Sequence, residues 1–385
     1  MAVKIIRQAN KIVLLGAPTS AAAMALGHER APEALRSAGL ADRLRSLGYD
    51  VADLGDDPPQ LFKTDEESPR ARNLPGVIAS VEALKPRMEV AVKSMALPLI
   101  LSGDCSIALA AVAGARRYFR NVSMIYMDRD ADLNTPATTP SGCVDGMVVS
   151  HLTGKGAAEV VRFWGEGPLV REPDLALFGV ARLDPPEEAA LKRSTLRFYP
   201  AAEVKRKGAA SVAQEAVERI HGRGNEFILH FDVDVIADFP ATNYPGSGGL
   251  SVEDVREALR VFARQKHLAA IEVTAYNPAK DPDGSGAKII IDLLADALAS
   301  RLKSLQSGMS AEPASISTDA GSARVAGATN QANAAQEASV PPVASGDAWS
   351  SDSLDTEAAA PAPQSESESG AEFSGAATDP DESQP

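Results

Sequence analysis

Cysteine is scarce: Cys105 and Cys143 are the two in 385 residues, too few for a disulfide framework. Long apolar runs are lacking as well. None approaches the roughly 20 residues that span a bilayer, so no membrane partner is expected. No basic stripe marks a surface for nucleic acid. The opening residues Met1-Ala2-Val3-Lys4-Ile5-Ile6-Arg7 lack the apolar core and cleavage pattern of an export signal, which sets the expectation of a cytoplasmic protein. There is no internal repeat.

Charge is spread unevenly. The net charge is −14, yet the residues from Met309 onward carry 13 acids against the single base Arg324. What precedes them is nearly neutral. That last segment is dominated by Ala, Ser, Pro, Gly and acids, as in Ser365-Glu366-Ser367-Glu368-Ser369. It offers too little apolar surface to offset its ordering entropy. Residues 309–385 are therefore expected to be a disordered, solvated acidic tail, and residues 1–308 a single folded domain.

Within that domain, short apolar or β-branched runs alternate with longer helical patterns. The strands expected are Lys11 to Gly16, Asp50 to Gly55, Leu97 to Leu101, Val122 to Met127, Leu175 to Val180, Phe227 to Phe231 and Ala269 to Val273. A helix opens at Ala31-Pro32, and others cover Val77 to Met95, Ile107 to Tyr118, Ser211 to Ile220, Ser251 to Gln265 and Lys288 to Ser304. Asp56 to Asn73, polar and proline-containing, reads as a surface loop or flap. Parallel strands need crossover connections, so this alternation predicts an α/β fold with a mostly parallel sheet covered by helices on both faces.

Ligands of such sheets bind beyond the carboxyl ends of the strands. Polar clusters fall there: Ser102-Gly103-Asp104-Cys105, Asp128-Arg129-Asp130-Ala131-Asp132, Asp232-Val233-Asp234, and Glu272 near the end of the last strand. Asp128, Asp130 and Asp132 are spaced by two, as are Asp232 and Asp234, and in extended chain each set shares a face. Like charges on one face cost free energy unless a cation compensates, and carboxylate oxygens suit manganese or magnesium. Solvated strand-end acids or helix caps are the alternative reading of one such cluster; two clusters weigh against it.

These motifs resemble the arginase and agmatinase family, the ureohydrolases. The segments that carry the resemblance are Ser102-Gly103-Asp104-Cys105-Ser106, Asp128-Arg129-Asp130-Ala131-Asp132-Leu133-Asn134-Thr135-Pro136, Ser141-Gly142-Cys143-Val144-Asp145-Gly146-Met147 and His230-Phe231-Asp232-Val233-Asp234. Gly27-His28-Glu29-Arg30-Ala31-Pro32, Glu272-Val273 and Asn277-Pro278 add to it. The resemblance implies a three-layer α/β/α fold, often in trimers or hexamers, and two Mn(2+) ions bridged by a hydroxide that attacks a guanidinium carbon. It implies one ion on Cys105, Asp128, Asp132 and Asp232, and the other on Asp128, Asp130, Asp232 and Asp234. It assigns receipt of the guanidinium to Glu272, proton transfer to Asp145, and the far end of the substrate to Asn134, Ser141, Cys143 and Asp184.

The chain departs from this pattern at three positions where the family usually carries histidine: Cys105, Asp130 and Asp145. Cys105 and Asp130 can still ligate, but they take the protein's charge on a metal pair from about minus four to about minus six, which should raise the pKa of its water. Arg129 offsets part of this if it turns inward. A carboxylate at 145 shuttles protons only if burial or neighbouring acids raise its pKa. Cys143 stands where arginases use asparagine. His230, two residues before Asp232, either faces the site or is a satisfied core histidine, and His151 reads as a packing or surface histidine on a helix. Asp104 is expected to bind backbone or supporting groups. Two functions follow: a hydrolase releasing urea or a urea-like product from a linear guanidino compound, or a catalytically impaired metal- or ligand-binding protein with a regulatory role.

Overall fold

The structure is a computed structural model that describes residues 8–309 apart from 166 and 222–225. The acidic segment expected to be disordered lies outside the described residues, save Met309, which ends the helix Ser285–Met309.

Eight strands form one sheet: β1 (Lys11–Ala17), β2 (Asp50–Asp56), β3 (Leu97–Ser102), β4 (Val122–Met127), β5 (Leu175–Val180), β6 (Arg197–Pro200), β7 (Glu226–Asp232) and β8 (Leu268–Thr274). Every pairing is parallel and the order is β2-β1-β3-β8-β7-β4-β5-β6. The chain winds from β1 to β3, jumps over to β4, runs out through β5 and β6, then returns to place β7 and β8 in the gap. Strands β3, β8, β7, β4 and β5 are thus consecutive neighbours, and their carboxyl ends share one rim.

Side-chain alternation divides the core into two layers. Leu99, Leu101, Leu229 and Phe231 pack with helices Ala209–His221, Val252–Ala263 and Ser285–Met309 on one face. Ile100, Tyr126 and Ile228 pack with helices Leu74–Lys93 and Ile107–Ala115 on the other. Central strands β3, β4, β5 and β8 are buried along their whole length, which is why they read as continuous apolar runs rather than alternating ones. The three-layer α/β/α expectation holds. Strand β6 was not foreseen: it has four residues, sits at an edge, and buries only Tyr199.

Candidate metal centre

A cavity of about 510 Å³ opens over this rim. Its wall contains Cys105 after β3, Asp128, Asp130 and Asp132 after β4, Asp184 after β5, Asp232 at the end of β7 and Asp234 just beyond it. Asn134, Ser141, Cys143 and Asp145, from the segment following β4, complete the sequence-predicted set. Glu272 is the exception and is treated below.

The aspartates do not converge by strand alternation. Asp128 Oδ1 accepts a hydrogen bond from the Asp130 amide at 2.7 Å, and Asp232 Oδ1 accepts one from the Asp234 amide at 2.7 Å. Each pair is therefore a tight bend closed by its own first carboxylate. Asp132 sits at φ 49°, in the left-handed region that aspartate tolerates, and its Oδ2 accepts the Tyr126 hydroxyl at 2.5 Å. The expectation of extended chain is corrected on this point, although all five acids line the cavity.

Two donor groups emerge. Ligand atoms of Cys105, Asp128, His230 and Asp232 lie within 4.8 Å of one another, and so do those of Asp128, Asp130 and Asp234. Asp128 belongs to both, as adjacent positions sharing a carboxylate require. Burial first, then mutual repulsion, pushes Asp128 and Asp232 well above the usual carboxylate range. Asp234 is raised to about 6, chiefly by burial and then by Asp130, with Arg129 opposing. Burial and the surrounding aspartates push the Cys105 thiol up, and its Sγ donates to Asp232 Oδ2 at 3.0 Å. A concentration of buried acids this dense calls for cationic charge.

The chain supplies some of that charge itself. Arg129 turns inward: its Nη2 lies 3.2 Å from Asp130 Oδ2 and 3.6 Å from Asp234 Oδ2. It packs flat on Gly246, where an added Cβ would come within 2.7 Å of the guanidinium. Arg182 pairs with Asp130 from the outer side. Tyr244, whose hydroxyl accepts the Met24 amide at 3.0 Å, also lines the cavity. Sequence gave no sign of Arg182 or Tyr244, which lie outside the recognisable motifs.

Asp145 is buried and accepts the Cys105 amide at 2.8 Å. Burial, then repulsion from Asp104, raises its pKa to about 7, the condition a carboxylate needs at this position. Asp104 has the supporting role expected of it, accepting from Thr19 Oγ1 at 3.0 Å, the Ala22 amide at 3.0 Å and Ser106 Oγ at 2.5 Å. Farther out, Asn134 Nδ2 donates to Asp184 Oδ2 at 3.0 Å, while Asp184 also caps the helix Pro185–Lys192. Ser141 Oγ accepts the Cys143 amide at 3.1 Å, and the Cys143 thiol points at the Ala22 carbonyl. Both cysteines are free. His151 is a buried packing residue, kept neutral by burial with its pKa lowered to about 4.

Glu272 stands apart. It is fully buried, it is absent from the cavity wall, and its Oε2 lies 2.9 Å from His230 Nδ1. Strand β8 continues to Thr274, which pairs with Asp232, so Glu272 lies two residues inside the sheet, beside His230. The carboxylate expected to receive a guanidinium is therefore turned to a histidine instead.

Comparison with known proteins agrees with this architecture. The chain is 30% identical over 295 residues to an arginase of Bacillus subtilis, covering 76% of this chain and 98% of that protein. It is 28% identical over 295 residues to an arginase of Bacillus caldovelox, covering 76% and 99%. The crystal structure of arginase from Bacillus subtilis superposes with a TM-score of 0.68 at 28% identity, over 75% of this chain and 98% of that one. The model of the arginase family matches residues 10–299, from the first strand of the sheet into its final helix, and the chain belongs to that family.

Proposed function

We propose that this protein is a metal-dependent hydrolase of a linear guanidino compound, releasing urea or a urea-like product. The observation that carries the reading is the pair of donor groups, buried except at Asp130, that share Asp128 at one cavity. Their oxygen-rich chemistry and unbalanced charge fit two divalent ions, manganese by analogy with the family, one on Cys105, Asp128 and Asp232 and the other on Asp128, Asp130 and Asp234; Asp132, which the resemblance adds to the first set, falls in neither donor group. Bound there, such ions would supply Lewis-acid activation of water near neutral pH.

The remaining chemistry belongs to the chain's own side chains. An acid-lined cavity attracts a planar cation and concentrates it at the mouth. Asp145, buried at the wall, is suited to pass a proton to the departing amine. Asn134, Ser141, Cys143 and Asp184 line the outer part, where a substrate's far end would rest.

Urea release should be measured from arginine, agmatine, guanidinobutyrate and N-hydroxyarginine with added manganese. Turnover of at least one is expected, and none would count against the reading. A second reading, a catalytically impaired ligand-binding protein on the same fold, is favoured by Arg129 and Arg182 already pairing with the acids. Tight ligand binding without product would support it; loss of a measured turnover in Asp145→Asn would rule it out.

A further inference from the structure

Cys105 stands where a family histidine is missing, and the structure brings another histidine to the same spot from a different strand. Tyr126, His230 and Glu272 occupy one register row across β4, β7 and β8, so their side chains emerge side by side on the same face. His230 is fully buried. Its ring stacks on Tyr126 with centroids 4.0 Å apart and planes at 7°. Its Nδ1 is engaged by Glu272 Oε2 at 2.9 Å. Its Nε2 has no hydrogen-bond partner.

A buried imidazole nitrogen left unpaired is costly unless something completes it. Stacking and the Glu272 contact fix both the plane and the rotation of the ring. With Nδ1 donating to Glu272 as a carboxylate, Nε2 carries the lone pair a metal would use. A ring nitrogen of His230, the Cys105 sulfur and one oxygen each of Asp128 and Asp232 already lie within 4.8 Å of one another. Alternation explains the meeting: His230 and Asp232, two apart on β7, share a face.

We infer that His230 is a metal ligand, making the first metal position a Cys105, His230, Asp128 and Asp232 site oriented by Glu272. This rests on reading the cavity as a metal centre. The consequence is a change of metal class. One thiolate, one imidazole and two carboxylates form a four-coordinate set suited to zinc or cobalt, whereas an all-oxygen set suits manganese. Glu272 behind the imidazole is then a positioning residue, the carboxylate that fixes tautomer and orientation in carboxylate–histidine–metal arrangements. Its burial away from the cavity follows from that role.

The test uses the full chain, purified metal-free and loaded with cobalt or zinc. Cobalt should give a sulfur-to-metal charge-transfer band together with the intense visible absorption of a four-coordinate ion. His230→Gln should keep the charge-transfer band, lose the four-coordinate absorption and bind cobalt at least ~10-fold more weakly; Glu272→Gln should bind roughly 10- to 100-fold more weakly. Cys105→Ser should lose the charge-transfer band. X-ray absorption of the zinc-loaded wild type needs no variant to fold, and should find one sulfur and an imidazole at the ion. A zinc shell without imidazole, or unchanged cobalt spectra in His230→Gln, overturns the inference and leaves the metal-centre reading standing. Failure of the wild type to bind cobalt, zinc or manganese overturns both.

Discussion

Arg129 sets its guanidinium 3.6 Å from Asp234, within the wall of the acidic cavity. The same nitrogen lies 3.2 Å from Asp130, so one fixed cation of the chain serves two of the three acids in the second donor group. A divalent ion at that position has to compete with it. Removing the guanidinium in Arg129→Ala frees Asp234 and leaves Asp130 paired with Arg182 alone, and should tighten manganese binding by roughly tenfold, about 1.4 kcal/mol. Calorimetric titration reads this directly. Weaker binding in the variant would show instead that Arg129 holds the acids in place for the ion.

His28 offers a test of burial behind the cavity wall, at a residue not assigned to a metal. It is fully buried, accepts the Asn243 amide at 3.3 Å and meets the Tyr244 ring edge-on. Burial, aided by Lys280, lowers its pKa from 6.5 to about 3. The folded state therefore binds fewer protons than the unfolded one. Its stabilising share is complete above the unfolded pKa and is lost as pH falls from there toward the folded value. Over that window wild-type stability should fall by about 1.4 kcal/mol per pH unit more than that of His28→Gln. Urea unfolding at successive pH values would contradict this if the two proteins declined in parallel.

Gly103 immediately precedes the Asp104-Cys105 pair and allows close approach of two backbones. A Cβ there would lie 1.8 Å from the Thr19 carbonyl oxygen, with no flexible side chain to give way. Gly103→Ala should cost about 3 kcal/mol through overpacking. The denaturation midpoint measures it, and a change under 0.5 kcal/mol would mean that the strand end moves freely.

Strand β4 and the motifs around it could be read from sequence because each buried strand is an apolar run ending in a polar cluster, and the clusters kept their spacing. What could not be read depended on partners distant in sequence. Whether Glu272 meets the cavity turns on β8 ending two residues later, at Thr274, and on the register that sets Glu272 beside His230. Arg129 faces inward because Gly246 and the Tyr244 carbonyl shape its slot more than 110 residues away. The helix after Asp184 did carry local signals, two prolines and Glu187 at its third position, yet Asp184 reads equally as a cap and as a substrate contact. Edge strand β6 was too short for any periodicity to register.

Rates of urea release by metal-loaded wild type and Asp128→Asn test the central claim most directly, because Asp128 is the carboxylate common to both donor groups. The account predicts metal-dependent urea release from a linear guanidino substrate, reduced roughly 100-fold or more in Asp128→Asn along with its metal content, at least the penalty of losing a supporting group around a metal. Wild-type protein that holds its metal and releases no urea from any guanidino compound offered, or turnover that survives Asp128→Asn undiminished, would contradict it.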